Sequence, residues 1–468
     1  MERLGLTGKK VTVVGLGIEG VDLVQFLARQ GAQVTVSDAK AAHHLAPRLA
    51  QIADVPARLC LGANDPQDIA SADAVFLSQS VPLDLPGLEA ARRRGAPISS
   101  QMRLFLELCP GPVVGITGSS GKTTTTALAG AIFAAASRRH LVGGNIGRPL
   151  LAQLDQLSPD TWVVLEISHT QLQLSHRSPH IACVTNVTPN HLDQFSWEEY
   201  KQLKANILRH QGPQDYAILG YDDREARALA RQTQGEALFF TTGSELPGDG
   251  VLVRDGWAVW RRHGRETPRF AASSLRLRGQ HNLQNALAAT AIASLCGIGP
   301  ATVAGAVADF AGVPHRLEQV ATVDGVAYYN DSIATTPERT LAGLRSFDEP
   351  AVLLLGGRDK HLPLHHLARE ACRRCRGVVF FGEAGDLLAA AVTGYAQRWP
   401  PDRRPQFERF GTLAQAVQAA HHMAQPGDVV LLSPACTSFD AYNNFEERGD
   451  EFRCLVAQLQ REVQPSPP

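Results

Sequence analysis

The run Gly118-Ser119-Ser120-Gly121-Lys122-Thr123-Thr124 joins a β-branched stretch, Pro112-Val-Val-Gly-Ile-Thr117, to an alanine-rich one. A glycine loop between a strand and a helix turns backbone N–H groups and a helix N-terminus toward phosphate oxygens, and Lys122 supplies the charge that neutralises them. Thr123 can offer its hydroxyl to magnesium. The spacing departs from the general phosphate-loop pattern, because Ile116 stands where its first glycine belongs and Gly115 comes one residue earlier. The order of strand, Gly-Lys-Thr and helix nevertheless implies ATP with Mg2+ rather than an incidental glycine-serine turn.

Further along, Glu166 closes the apolar run Trp162-Val-Val-Leu. A carboxylate there is costly unless it is paired or binds a cation, so it is a candidate metal ligand; the competing reading is a strand-end acid in water. Thr185-Asn186-Val-Thr-Pro-Asn-His191-Leu-Asp193 places a histidine and an aspartate just past another strand. His191 could hold a second cation, with imidazole as the minority partner among oxygen ligands. Lys204 lies on a helix expected to start near Ser196, and its periodicity alone assigns it to a solvated face. A second glycine turn, Gly15-Leu16-Gly17-Ile-Glu-Gly20, follows Val11-Thr-Val-Val14, with Asp38 about twenty residues on. This is the dinucleotide fingerprint, and it is specific for a pyrophosphate but weak on the base.

These groups need elements to hold them. The 468 residues suffice for several domains, and 44% hydrophobic with 19% charged residues is a globular composition. A formal charge of −1 lacks the basic excess of a general nucleic-acid binder. No run approaches the length of a membrane span; the longest, Thr126 to Ser137, stops at Arg138-Arg139 and reads as a buried helix. Eight cysteines without a signal peptide fit a reduced, cytoplasmic protein, and Cys372-Arg-Arg-Cys375 reads as two ordinary thiols rather than a metal knuckle.

Strands are expected at 11–14, 32–37, 74–77, 112–117, 162–166 and 181–185, with short broken ones between 215 and 278. A long helix is expected at 282–295, then strands at 326–330, 351–355, 378–381 and 429–432. That alternation predicts three successive α/β segments, 1–108, 109–311 and 312–468, and a disordered tail from Gln464.

The chain resembles the Mur ligase family from Gly8 to about Arg453. The marks are Gly15-Leu16-Gly17, Gly115 to Thr123, Gly143-Gly-Asn145-Ile-Gly147, Leu165-Glu166-Ile-Ser168, Asn186 to Asp193, Gly279-Gln-His-Asn282-Leu-Gln-Asn285, Pro314-His315-Arg316, Asn330-Asp331-Ser332, Gly356-Gly357 and Leu432 to Asp440. The resemblance implies an α/β protein of three domains: a Rossmann-like domain for a UDP-sugar, a central P-loop ATPase domain, and a C-terminal Rossmann-like domain that receives an amino acid. The implied activity is ATP-dependent addition of D-glutamate to UDP-N-acetylmuramoyl-L-alanine through an acyl phosphate, in cytoplasmic peptidoglycan precursor synthesis, by a monomer without nucleic-acid or membrane partners.

By resemblance, Gly118 to Thr124 hold the ATP phosphates, with Lys122, His191 and Lys204 as the catalytic set. Two Mg2+ ions would be shared among Thr123, Glu166, His191 and Lys204, the last as a carbamylated lysine. Asn285, Arg316 and Asp331 match residues around the adenine and ribose. Gly15, Leu16, Gly17 and Asp38 match contacts to the uridine diphosphate, and Asn145, Ser168 and Gln171 contacts to the sugar-peptide. Thr335, Lys360, Ser438 and Phe445 fall where D-glutamate is received.

Three stretches depart from the family pattern. Ser-Ser-Phe-Gln-Leu becomes Ser168-His169-Thr170-Gln171-Leu172, a lysine becomes Ile333, and Ser-Pro-Gly becomes Ser78-Gln79-Ser80. Lys360 or Arg358 is expected to replace the charge lost at Ile333. The rival readings are a sister ligase adding L-glutamate, a folylpolyglutamate synthetase, an NAD-dependent oxidoreductase, which leaves the Lys122 loop unexplained, and a non-catalytic nucleotide sensor, which has no use for a second metal.

Overall fold

A computed structural model describes residues 5–79, 81–146, 149–192 and 194–463. Ser80, Gly147, Asp193 and the tail from Gln464, all named above, lie outside them. The chain forms two compact units, one of Met1–Leu275 with Gln280–Asp309 and one of Arg276–Gly279 with Phe310–Pro468.

The first unit begins with a parallel sheet of β1 (Lys10–Val14), β2 (Gln33–Asp38), β3 (Ala57–Leu61), β4 (Ala74–Leu77) and β5 (Ile98–Ser100), ordered β3-β2-β1-β4-β5. The order reverses beside β1, which is where an open α/β sheet leaves a crevice for a ligand. Gly15 turns the chain there with φ 87°, and the helix Ile18–Arg29 follows. A Cβ on Gly20 would stand 2.1 Å from the Gly15 carbonyl oxygen, so only glycine lets this helix pack so close to the turn.

The second sheet of this unit is built from β6 (Val113–Thr117), β7 (His140–Gly144), β8 (Trp162–Glu166), β9 (Ile181–Val184), β10 (Tyr216–Gly220), β11 (Glu236–Phe240), β12 (Gly250–Arg254), β13 (Trp257–Arg262) and β14 (Arg265–Ala271). Its order is β14-β13-β12-β11-β10-β9-β6-β8-β7. From β7 to β12 neighbours run parallel, and β12, β13 and β14 continue as an antiparallel meander. Helices Lys122–Ala135 and Gln280–Leu295 pack on each other. Both bury residues such as Leu128, Ile132, Phe133, Leu287 and Ile292, as the alanine-rich composition requires. One apolar core runs from Val13 and Leu23 of the first sheet's layers to Val163 and Ile207 of the second's. Buried Asp22 links the same layers, accepting from Gln101 Nε2 at 2.5 Å and from the Leu151 N–H at 2.8 Å.

In the second unit β15 (Glu318–Val323), β16 (Val326–Asn330), β17 (Ala351–Gly356), β18 (Cys375–Phe381), β19 (Gln406–Arg409) and β20 (Val429–Ala435) form one sheet ordered β15-β16-β20-β17-β18-β19. All pairs are parallel except the β15–β16 hairpin. The continuous apolar runs of β17 and β20 are buried throughout, as strands covered on both faces must be. No helix among the described residues is long and apolar enough to cross a membrane. All eight cysteines are free thiols.

Candidate active site

The phosphate loop sits between β6 and its helix and is tied down by the segment after β9. Ser119 N–H donates to the Asn186 carbonyl at 3.0 Å, and Ser120 N–H donates to Asn186 Oδ1 at 2.9 Å. Thr185 Oγ1 donates to the Ser120 carbonyl at 2.6 Å, and Ser119 Oγ donates to the Thr188 carbonyl at 2.9 Å. Gly121 caps the helix in the left-handed region at φ 82°, and a Cβ there would stand 2.2 Å from Asn285 Oδ1. Glycine is therefore demanded twice, by conformation and by space. Lys122 Nζ donates to the Gly118 carbonyl at 2.9 Å and the Ser119 carbonyl at 3.3 Å, which folds it across its own loop. Asn285 is buried, with Oδ1 accepting from Thr125 Oγ1 at 3.4 Å, so it joins the two packed helices at the loop. An open cleft of about 510 Å³ lies beside the start of the helix Gln280–Leu295, lined by Asp222, Thr242, Gly243, Gln280, His281 and Gln284. Sequence reasoning missed it, because its walls come from three separate stretches of chain.

Glu166 ends β8 one strand away from the loop and is 2% exposed. Its Oε1 accepts from Asn145 Nδ2 at 2.8 Å, while Oε2 is buried and has no hydrogen-bond partner. A buried carboxylate oxygen left unsatisfied is the environment that a cation completes, so Glu166 and Thr123 fit a Mg2+ accompanying the nucleotide. Glu166 has no companion set, however: among the described residues no three His, Cys, Asp or Glu side chains gather as metal ligands.

Lys204 corrects its sequence reading outright. Its helix, Trp197–Ala205, starts where expected, with Ser196 and Glu199 forming a capping box. Yet the side chain is only 1% exposed, with Nζ donating to Thr117 Oγ1 at 3.1 Å. Burial first, and the charge of Lys122 second, hold this amine well below the usual lysine range, against an opposing pull from Glu166. This burial favours the uncharged amine over the ammonium.

His191 adopts φ 55° just after the loop-anchoring segment, and its ring lies 4.3 Å from that of His169, tilted by 32°. Tyr200 adjoins both: its ring centroid is 5.6 Å from that of His169, and its hydroxyl donates to Ser119 Oγ at 3.2 Å. Neither His169 nor Tyr200 stood out as functional in the sequence. Burial, then the nearby charges of Lys204, His191 and Lys122, push the His169 ring down to about 4.

At the first sheet's turn, Asp38 accepts from the Leu16 N–H at 2.7 Å and from the Lys40 N–H at 2.8 Å. Its carboxylate thus shapes the turn in which Gly15, Leu16 and Gly17 lie. Nearby, Gln171 Nε2 and Gln79 Nε2 both donate to Glu19 Oε1 at 2.7 Å. Ser168 Oγ donates to Gln79 Oε1 at 3.2 Å and receives the Gln171 N–H at 3.1 Å. Burial raises Glu19 above the usual carboxyl range. Ser168 and Gln171 therefore belong to one polar cluster with Glu19 and Gln79, two residues that sequence reasoning did not include.

The second unit gathers its own candidates. Lys360 Nζ donates to Thr335 Oγ1 at 3.4 Å, whereas Arg358 is taken up by Glu383 at 3.0 Å. Arg339 Nη1 donates to the Ile333 carbonyl at 3.3 Å, a cation beside Ile333 that the sequence did not flag. Phe445 gives its carbonyl to Ser332 Oγ at 2.8 Å, and Ser438 is buried where its carbonyl receives the Tyr442 N–H at 2.9 Å. Arg316 follows His315, whose ring faces Phe445 at 6.3 Å.

Asp331 is 5% exposed and accepts from Ser433 Oγ at 2.9 Å and the Leu317 N–H at 3.2 Å, but burial outweighs these bonds and pushes it up to about 7. The folded state then keeps a proton that the unfolded chain has already lost. This group's contribution is complete below about pH 4 and is lost as pH rises through about 7, on the order of 4 kcal/mol in all. Asp331→Asn should therefore gain stability relative to the parent between pH 5 and 8 in urea titrations of the ligand-free chain. A difference that does not change with pH would remove Asp331 as its source.

Three family models match the chain: the Mur ligase MurD-like N-terminal domain over residues 9–100, the Mur ligase middle domain over 116–293, and the Mur ligase glutamate ligase domain over 315–436. The UDP-N-acetylmuramoylalanine–D-glutamate ligase of Symbiobacterium thermophilum is 44% identical over 455 residues, covering 96% of this chain and 98% of the relative. The ligase of the same description from Pelotomaculum thermopropionicum is 38% identical, covering 97% of this chain and 99% of the relative. Among solved structures, the UDP-N-acetylmuramate-alanine ligase MurC of Thermotoga maritima superposes with a TM-score of 0.58 at 18% identity, covering 97% of this chain and all of that one. MurF of Acinetobacter baumannii gives 0.58 at 18% identity, covering 96% of this chain and 93% of that one. These two establish likeness of fold alone.

Proposed function

Since the chain belongs to the Mur ligase family, we propose that its sites serve one reaction, the ATP-driven joining of D-glutamate to UDP-N-acetylmuramoyl-L-alanine. It is an ATP-dependent ligase of peptidoglycan precursor synthesis. The observation that carries the choice of substrates is the near full-length likeness, at 44% identity, to the D-glutamate ligase of Symbiobacterium thermophilum.

A substrate carboxylate oxygen attacks the γ-phosphorus of ATP and ADP departs. The D-glutamate amine then attacks the acyl phosphate carbon, and phosphate leaves with the amide formed. Negative charge accumulates at one place in each step, and positive groups fixed there beforehand stabilise it. Lys122 and the loop N–H groups receive the phosphates. Thr123 and Glu166 would hold Mg2+ with the nucleotide, and His191 would serve a second ion; bound Mg2+ neutralises phosphate oxygens and acts as a Lewis acid. The cleft at Gln280 and Gln284 offers room for the base, with Asn285, Arg316 and Asp331 assigned to the nucleotide. Gly15 to Gly17 and Asp38 are assigned to the uridine diphosphate, and Asn145, Ser168 and Gln171 to the sugar-peptide. Thr335, Lys360, Ser438 and Phe445 are assigned to D-glutamate, with Lys360 and Arg339 supplying positive charge around Ile333.

Lys204 is read as a carbamate in the working enzyme. The neutral amine attacks CO2, a C–N bond forms, the π pair moves to oxygen, and the displaced N–H proton goes to solvent. Its depressed basicity and its burial beside Glu166 and Lys122 support this reading. Residues 1–108, 109–311 and 312–468 are assigned to the UDP-sugar, ATP and the amino acid in turn, in a monomeric cytoplasmic enzyme.

Phosphate release from ATP with UDP-N-acetylmuramoyl-L-alanine should require D-glutamate. Equal or faster release with L-glutamate would overturn the substrate assignment, and release without any acceptor would overturn the ligase reaction itself.

A further inference from the structure

His169 opens the short helix His169–Leu172 and is enclosed by three rings. His191 lies at 4.3 Å, Phe195 edge-on at 5.5 Å and Tyr200 at 5.6 Å between centroids. Its Nε2 is buried and has no hydrogen-bond partner. Buried ring nitrogens are nearly always bonded, so this orphan points to a missing acceptor or donor. The Tyr200 ring that flanks His169 also carries Lys204 Nζ, 5.4 Å from its centroid. Among the charges acting on His169, Lys204 is the foremost, ahead of His191 and Lys122. An ammonium offers only donors and cannot satisfy an imidazole N–H, and a neutral amine offers a single lone pair. A carboxylate added to the same nitrogen reverses the charge and brings two acceptor oxygens into the pocket.

We propose that His169 Nε2–H donates to the carbamate on Lys204 and is the positioning residue that stabilises and orients this modification. The inference rests on the carbamate reading above and adds a residue to it. The bond formed is a charge-assisted one, from a ring N–H to an anion. The two buried groups answer each other: the carbamate gains a donor, and Nε2 gains the acceptor it lacks.

The test is 13C NMR of the full chain equilibrated with 13C-bicarbonate, in the parent, His169→Ala, His169→Asn and Lys204→Ala. Losing a hydrogen bond to a charged group should raise the bicarbonate needed for half occupancy roughly tenfold to a hundredfold in His169→Ala. His169→Asn keeps an N–H donor and should recover part of that loss. Half occupancy in His169→Ala equal to the parent's overturns the proposal, as does lost Mn2+ affinity in that variant with unchanged carbamate. A second readout needs no change at 169: the 15N resonance of His169 Nε2 in the parent should shift as bicarbonate is added, and should not shift in Lys204→Ala. A parent resonance indifferent to bicarbonate while the carbamate signal grows also overturns it. Absence of any carbamate signal in the parent removes the carbamate reading and this inference together, whereas D-glutamate-dependent phosphate release stands apart from both.

Discussion

Lys122→Ala should lower kcat for D-glutamate-dependent phosphate release by about a thousandfold or more, the scale found when a cation facing a transferring phosphoryl group is removed. The structure explains why no neighbour can substitute. Lys122 Nζ is held within its own loop by the Gly118 and Ser119 carbonyls, so its charge arrives at the phosphates from a fixed direction. Lys204, the other lysine of the cluster, is buried and depressed in basicity, which makes it a poor replacement cation. Lys122→Arg should recover little, because a planar guanidinium cannot reproduce a compact ammonium inside a tight loop. The KM for UDP-N-acetylmuramoyl-L-alanine should change far less, since the turn assigned to its diphosphate lies at β1 of another sheet. Turnover within tenfold of the parent would remove Lys122 from phosphoryl transfer.

The residues that were legible in the sequence are those whose role is local. Gly118 to Thr123 announced a strand, loop and helix because each step of that path needs its own residue type, and Glu166 was visible as a carboxylate at the end of an apolar run. β1, β2, β4, β6, β8, β9, β16, β17, β18 and β20 were readable for the same reason, as β-branched or apolar runs closed by polar residues, whereas β3, β5, β7 and β19 are short or edge strands that the pattern did not mark. Lys204 was named by the family resemblance but was not readable from periodicity. Its helix is short and mostly polar, so periodicity assigned the lysine to water, and only packing beneath the loop and beside Thr117 buries it. His169 and Tyr200 were missed because their neighbours come from separate segments of the chain; no spacing along one element could join His169 to His191. Asp38 shows the opposite effect. Its motif suggested a ligand contact, and the structure adds a role in the turn, each oxygen accepting one backbone N–H, from Leu16 and from Lys40. Lys360 or Arg358 was expected to replace the charge lost at Ile333; Arg358 carries an exposed ion pair with Glu383, and Arg339, which the sequence did not flag, donates to the Ile333 carbonyl.

Lys204→Ala should be nearly inactive, on the order of a thousandfold below the parent, and millimolar short carboxylates such as acetate or propionate should restore a measurable part of that loss. The reasoning turns on sign. If the working group were the ammonium, its burial beside Lys122 would place two positive charges together, and the strong fall in its basicity shows that the fold disfavours that state. If it were the neutral amine, it would contribute one hydrogen bond to Thr117 and no charge. An anion at this position would complement Lys122 and a cation held at Glu166, and alanine would leave a cavity that a free carboxylate can enter with the same charge. An amine such as methylamine should therefore rescue poorly, and neutral acetamide not at all. Rescue by methylamine that equals rescue by acetate would assign the function to the lysine nitrogen itself, and full activity of Lys204→Ala without additive would take this side chain out of the chemistry.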